Sequence, residues 1–233
     1  MTEGINFGQN SRPLLMTAAR VCSVIFHPLF MMTYMLLLLL LINPYLFGVN
    51  KMADQGRLIM MVFFSTVFIP IVSISMMKTL GFVSSWEMED RMDRIIPYIS
   101  TAVWYLAIYY FLLKSPDVPT AYKTFMLGGI IALFAAFFFN NFTKVSIHTT
   151  GMGGLLGMVI ITMTFFRQKS FLIETSLTGP LRIEMFYLLM FTILMAGVVG
   201  TSRLLLNAHR PRDLWGGYFI GLTAQIVALQ IVF

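Results

Sequence analysis

Apolar residues run almost without interruption along seven stretches of the chain, at about 21–43, 58–77, 95–113, 124–142, 149–166, 185–206 and 213–233. Each is close to the roughly 20 residues that an α-helix needs to cross the hydrocarbon core of a bilayer. The runs are too long for barrel strands. They also lack the period-2 alternation of a strand with lipid on one side and a lumen on the other. The pattern predicts an all-α fold, a polytopic membrane helix bundle of about seven transmembrane helices. Residues 1–20 are more polar and predict a short N-terminal tail, leaving residues 21–233 as a single transmembrane domain. The first run is too long for a cleavable signal peptide, and no small-residue cleavage site follows it.

Composition agrees. Of 233 residues, 58% are hydrophobic and 11% charged, against about 25% charged in soluble domains. A surface so poor in charge faces lipid. The net charge of +6 comes from basic residues scattered through short loops, which points to membrane lipids and phosphate as partners and away from nucleic acid. Cys22 is the only cysteine, so no internal disulfide forms, and it reads as apolar filler. Gly153 and Gly157 in the fifth run, and Gly217 and Gly221 in the seventh, stand four apart. That spacing lets helix backbones touch in lipid, where no hydrophobic force drives association.

Seven crossings assign the loops alternately to two sides. The side holding the N-terminus receives "EMEDRMDRIIP" after the second run, "KVSIH" after the fourth and "SRLLLNAHRPRD" after the sixth. These are the three unusual polar clusters, and they share one membrane face, where they can build one site. The loops of the opposite side, 44–57, 114–123 and 167–184, are ordinary connections.

Arginine, lysine, serine and histidine without a cysteine or carboxylate cluster point to an oxyanion ligand. Guanidinium groups match phosphate oxygens as a fork, and lysine adds a point charge. Zinc asks for three or four ligands at fixed spacing, and the three histidines have none, so no metal or other cofactor is expected. Pro211 suits the first turn of a helix. His209 then precedes a helix N-terminus, where free N–H groups favour an anion. Asp213, four residues on, stands where a carboxylate can orient an imidazole nucleophile. Any one of these residues alone is an ordinary interfacial anchor; their joint arrangement points to chemistry. His27, within the first run, reads most simply as a packed histidine bonding nearby backbone. Glu87, Glu89, Asp90 and Asp93 read as partners for neighbouring arginines.

Ser202-Arg203, His209 and Asp213 form the pattern S-R-x5-H-x3-D. It resembles the third signature of the phosphatidic acid phosphatase type 2 / haloperoxidase superfamily, integral-membrane lipid phosphatases related to soluble vanadium haloperoxidases. Lys144, Ser146 and His148 resemble the second signature, P-S-G-H, with Val145 and Ile147 in place of its proline and glycine. Arg91, Arg94 and Pro97 stand in the order of the first signature, K-x6-R-P, but Glu89 occupies the lysine position. The resemblance covers about residues 89–221. His27-Pro28-Leu29, and K-x-S-x-H followed by paired glycines, are similar to a variant branch seen in Bacteroidetes-like bacteria.

The resemblance implies catalysis through a phosphohistidine. His209 would attack phosphorus, Asp213 would orient it and His148 would protonate the leaving oxygen. Arg203, Lys144, Ser146 and Ser202, with Arg91 or Arg94, would bind the phosphate oxygens. The reading favoured is a metal-independent phosphatase for a lipid phosphate or diphosphate. A lipid phosphotransferase using the same site, and a phospholipid-binding transporter, are the alternatives; the oligomeric state and the lipid stay open. With the site cations set aside, Lys and Arg are more frequent on the side opposite the site. By the positive-inside tendency that side is cytoplasmic, and the site of an inner-membrane protein lies on the periplasmic face.

Overall fold

A computed structural model describes residues 12–85, 88, 92–175 and 179–233. Nine α-helices dominate these residues: α1 (Arg12–Ile25), α2 (Met31–Ile42), α3 (Gly56–Phe63), α4 (Ile69–Thr79), α5 (Ile95–Leu113), α6 (Thr120–Asn140), α7 (Ile147–Thr164), α8 (Met185–Leu205) and α9 (Pro211–Val232). They make seven helical stretches long and apolar enough to cross a membrane, Pro13–Ile42, Pro44–Thr79, Met92–Leu113, Thr120–Asn140, Ile147–Thr164, Met185–Leu205 and Pro211–Val232. The protein is a multi-pass, mostly all-α membrane bundle.

Two of the stretches are broken, each at a proline. Proline has no N–H and crowds the carbonyl four residues back. At Pro28 the first stretch stops at Ile25, makes a 3₁₀ turn over Pro28–Phe30 and restarts as α2. In the second, Pro70 cannot donate to Thr66, and the helix widens into a single π turn over Phe64–Phe68 before α4. The Thr66 hydroxyl bonds the Val62 carbonyl at 2.9 Å and lies 3.4 Å from the Thr33 hydroxyl, tying the widened turn to α2.

The structure alters the sequence expectation in two places. Residues 12–20 are not tail; they belong to α1, whose half-buried and buried positions Leu15, Met16, Ala19, Cys22 and Ser23 recur at helical spacing. Residues 167–184 are not a plain loop. They hold an antiparallel hairpin of β1 (Ser170–Thr175) and β2 (Gly179–Glu184), in register from Ser170 opposite Glu184 to Thr175 opposite Gly179. Phe171, buried, anchors the hairpin in the core.

α7 and α9 form the tightest pair, and the glycines are the reason. A Cβ on Gly221 would stand 2.6 Å from the Gly154 nitrogen, and one on Gly217 would stand 2.6 Å from the Ser146 carbonyl oxygen. Across the pair, a Cβ on Gly153 would meet the Tyr218 backbone, at 2.9 Å from its Cα. Only hydrogen fits at these positions, so the backbones touch and gain dispersion contact along their length. α6 packs on the same helix, where the fully buried Gln225 donates its amide to the Phe125 carbonyl at 3.3 Å.

Candidate active site

The connection between α8 and α9 is built by capping chemistry. After Leu205 the chain turns at Asn207, in the left-handed region at φ 51°. The Ala208 N–H reaches back to the Arg203 carbonyl (3.1 Å) and the Asn207 N–H to the Leu204 carbonyl (2.9 Å). This double closure of a helix end favours glycine or asparagine at the left-handed position. Arg210 is extended, at φ −89° and ψ 159°, and Pro211 opens α9 as expected. Asp213 accepts the Arg210 N–H on Oδ2 at 2.9 Å, satisfying a donor that the helix start would otherwise leave unpaired. The S-R-x5-H-x3-D spacing is thus one closing turn plus one opening turn. It sets Arg203, His209 and Asp213 around a single short loop.

The second cluster is clamped to this loop by backbone. The Ser146 N–H donates to the Asp213 carbonyl at 3.2 Å. The Ser146 carbonyl accepts from the Thr150 N–H (3.0 Å) and from the hydroxyls of Thr149 (3.1 Å) and Thr150 (3.0 Å). Gly217 allows this, because any side chain there would strike the Ser146 carbonyl. The starts of α7 and α9 therefore hold Ser146, His148, His209 and Asp213 in one fixed frame.

Charge converges on His209. Arg203, Arg94 and Lys144 all act on it electrostatically, and Asp213 opposes them. Burial and these three cations push its pKa from the usual 6.5 down to about 3, so the ring is neutral at physiological pH. Its Nδ1 lies 3.9 Å from Asp213 Oδ2. That is an electrostatic contact, longer than the hydrogen bond the sequence leads one to expect. His148 is buried, and it feels the charge of His209 and Arg203. Ser146 Oγ, His148 Nδ1, His209 Nδ1 and Arg203 Nε are buried and have no hydrogen-bond partner among the described residues. Buried polar groups are rarely left so. Two of them, Ser146 Oγ and Arg203 Nε, are donors, and in a cationic frame they mark a place suited to a ligand that offers acceptors.

Other expected site residues fare differently. Arg94 is buried, donates from Nε to the Met88 carbonyl at 2.8 Å and belongs to the charge cluster. Arg91, Glu87, Glu89 and Asp90 lie outside the described residues. Asp93 accepts from the Ser84 N–H at 3.3 Å and from its hydroxyl. Ser202 is buried, but its hydroxyl donates to the Val198 carbonyl at 2.8 Å within α8. In this arrangement that bond uses its one proton within α8.

The first stretch supplies residues that sequence reasoning missed or undervalued. Ser23 of α1 accepts from the Arg203 guanidinium on Oγ at 3.1 Å, and its carbonyl lies 3.1 Å from His148 Nε2. A carbonyl only accepts, so His148 Nε2 carries the proton. The His27 ring stands edge-to-face against His148, with centroids 5.4 Å apart and planes at 84°. The only signal for either residue is a histidine at membrane depth, which is costly and often functional.

The fold and the site together define a multi-pass membrane protein with a partly buried histidine–arginine–lysine centre at one end of its helix bundle. Comparison with protein-family models, curated proteins and solved structures returned no match for the chain.

Proposed function

We propose that the chain is a lipid phosphate or diphosphate phosphatase of the phosphatidic acid phosphatase type 2 superfamily, working without a metal through a phosphohistidine. The observation that carries the reading is the convergence of Arg94, Lys144 and Arg203 on a neutral, buried His209 backed by Asp213. Fixed cations around the reacting phosphorus are the main catalytic resource in phosphoryl transfer, and a neutral imidazole is the competent nucleophile.

Asp213 lies beside His209 Nδ1, which assigns the proton to Nδ1 and the attacking lone pair to Nε2. Nε2 forms a bond to phosphorus while the bond to the lipid oxygen, or to the leaving phosphate, breaks. Arg94, Arg203 and Lys144 hold the non-bridging oxygens. The phosphate anion offsets the Arg203 charge beside His148, so the ring takes up a proton with the substrate and gives it to the departing oxygen. Because His148 Nε2 is committed to the Ser23 carbonyl, that proton leaves from Nδ1. Water then attacks phosphorus, gives a proton to the same Nδ1 and breaks the P–N bond, which releases inorganic phosphate and restores both rings.

With the site cations set aside, Lys and Arg are more frequent on the side opposite the site, which supports a site on the periplasmic face of an inner-membrane protein. The test is phosphate release by the purified protein against a panel of lipid mono- and diphosphates. Turnover of at least one, abolished by His209→Ala, is expected. Turnover that survives His209→Ala overturns the mechanism. Group transfer to a lipid hydroxyl without phosphate release identifies a phosphotransferase instead.

A further inference from the structure

The chain has three histidines, and all three gather at one end of the bundle: His27 against His148, and His148 within electrostatic reach of His209. The proposed chemistry uses two. The third differs from its neighbour in the proton it carries. His27 precedes the 3₁₀ turn that Pro28 forces, and its Nδ1 accepts the Leu29 N–H at 3.4 Å. A neutral ring that accepts on Nδ1 carries its proton on Nε2. No acceptor among the described residues takes that proton, and the ring is only half-buried. His148 is the reverse case. It donates from Nε2 to Ser23, so its free atom is the Nδ1 lone pair. Two rings in edge-to-face contact, both within the field of Arg203, therefore offer the site a lone pair and an N–H.

We propose that His27 is a third imidazole of the phosphate site, donating its Nε2 proton to a non-bridging phosphate oxygen. It binds and does not exchange protons. Its tautomer is set by the backbone turn it caps, while His148, whose Nδ1 is free, carries the proton traffic. The proposal rests on reading the centre as a phosphate site. It also gives the break at Pro28 a purpose, since a continuous helix would satisfy the Leu29 N–H internally and leave the proton position on His27 undetermined.

Two substitutions separate the jobs of the two nitrogens. In His27→Asn the side-chain oxygen still caps the Leu29 N–H, as asparagine does well at helix starts, but the donor at the Nε2 position is lost. In His27→Gln the amide nitrogen reaches the Nε2 position and keeps the donor. The probes are inorganic phosphate and orthovanadate, titrated calorimetrically into full-length protein in lipid nanodiscs. His27→Asn is expected to weaken binding about 10- to 100-fold, the range for one hydrogen bond to a charged group, with an unchanged unfolding temperature. His27→Gln is expected to bind close to wild type. Wild-type affinity in His27→Asn, or equal weakening in both variants, overturns the donor role while the phosphate reading stands. Wild-type protein that binds neither anion removes the phosphate reading and this proposal with it. A measurement free of substitutions is histidine nitrogen NMR: phosphate must shift the His27 Nε2–H signal, and an unmoved signal overturns the assignment.

Discussion

Replacing Gly217 by alanine tests whether the distance between α7 and α9 sets the catalytic geometry. The added Cβ would stand 2.6 Å from the Ser146 carbonyl oxygen and would also meet the Thr149 hydroxyl and, at 3.1 Å, the Thr150 nitrogen. The hydroxyl can rotate away, but the two backbone atoms cannot. Comfortable carbon contacts begin near 3.5 Å, so α9 must retreat by roughly 1 Å. The Ser146 N–H to Asp213 carbonyl bond, already 3.2 Å, then opens, and His209 and Asp213 move away from Ser146 and His148. Overpacking of this kind costs about 1–3 kcal/mol of stability. A displacement of about 1 Å costs about 10²-fold in rate. The control stands one residue away: a Cβ on Gly216 meets nothing within 4 Å, so Gly216→Ala keeps both stability and rate. The assays are phosphate release from a lipid phosphate and thermal unfolding in detergent. A Gly217→Ala enzyme with wild-type kcat/KM refutes the argument that this backbone contact positions the site.

Three further outcomes are expected. His209 titrates near pH 3 in the folded protein and near 6.5 when unfolded, so the unfolded state binds the extra proton and stability falls as pH drops through that window; Arg203→Gln raises the folded value, and histidine NMR that finds His209 titrating near 6.5 in wild type contradicts the account. Asn207 sits at φ 51°, where a Cβ-bearing residue without a local hydrogen bond pays about 1–2 kcal/mol; Asn207→Ala lowers the unfolding temperature and Asn207→Gly does not. Turnover survives EDTA and is inhibited by orthovanadate, which takes the five-coordinate shape of attacked phosphorus; loss with EDTA and recovery with magnesium contradicts the metal-free mechanism.

Much of this protein is legible in its sequence because the relevant physics is local. Span length follows from bilayer thickness, and the helix ends at Asn207 and Pro211 follow from backbone chemistry within a few residues. The Gly217 and Gly221 spacing foretells close contact because only a missing side chain permits it. Parity of the crossings then puts Arg94, Lys144 and His209 at one end. Tertiary packing decided the rest. Ser23 meets His148 across 125 positions and Arg203 across 180, and no local rule pairs residues so far apart. The pairing of β1 with β2 exists because each short strand supplies the other's hydrogen bonds and because Phe171 finds the core. Ser202 satisfies the S-R spacing in sequence, yet its hydroxyl turns to the Val198 carbonyl of its own helix. A motif specifies which residue stands at a position; where its proton points depends on the nearest acceptor, and the folded chain supplies that.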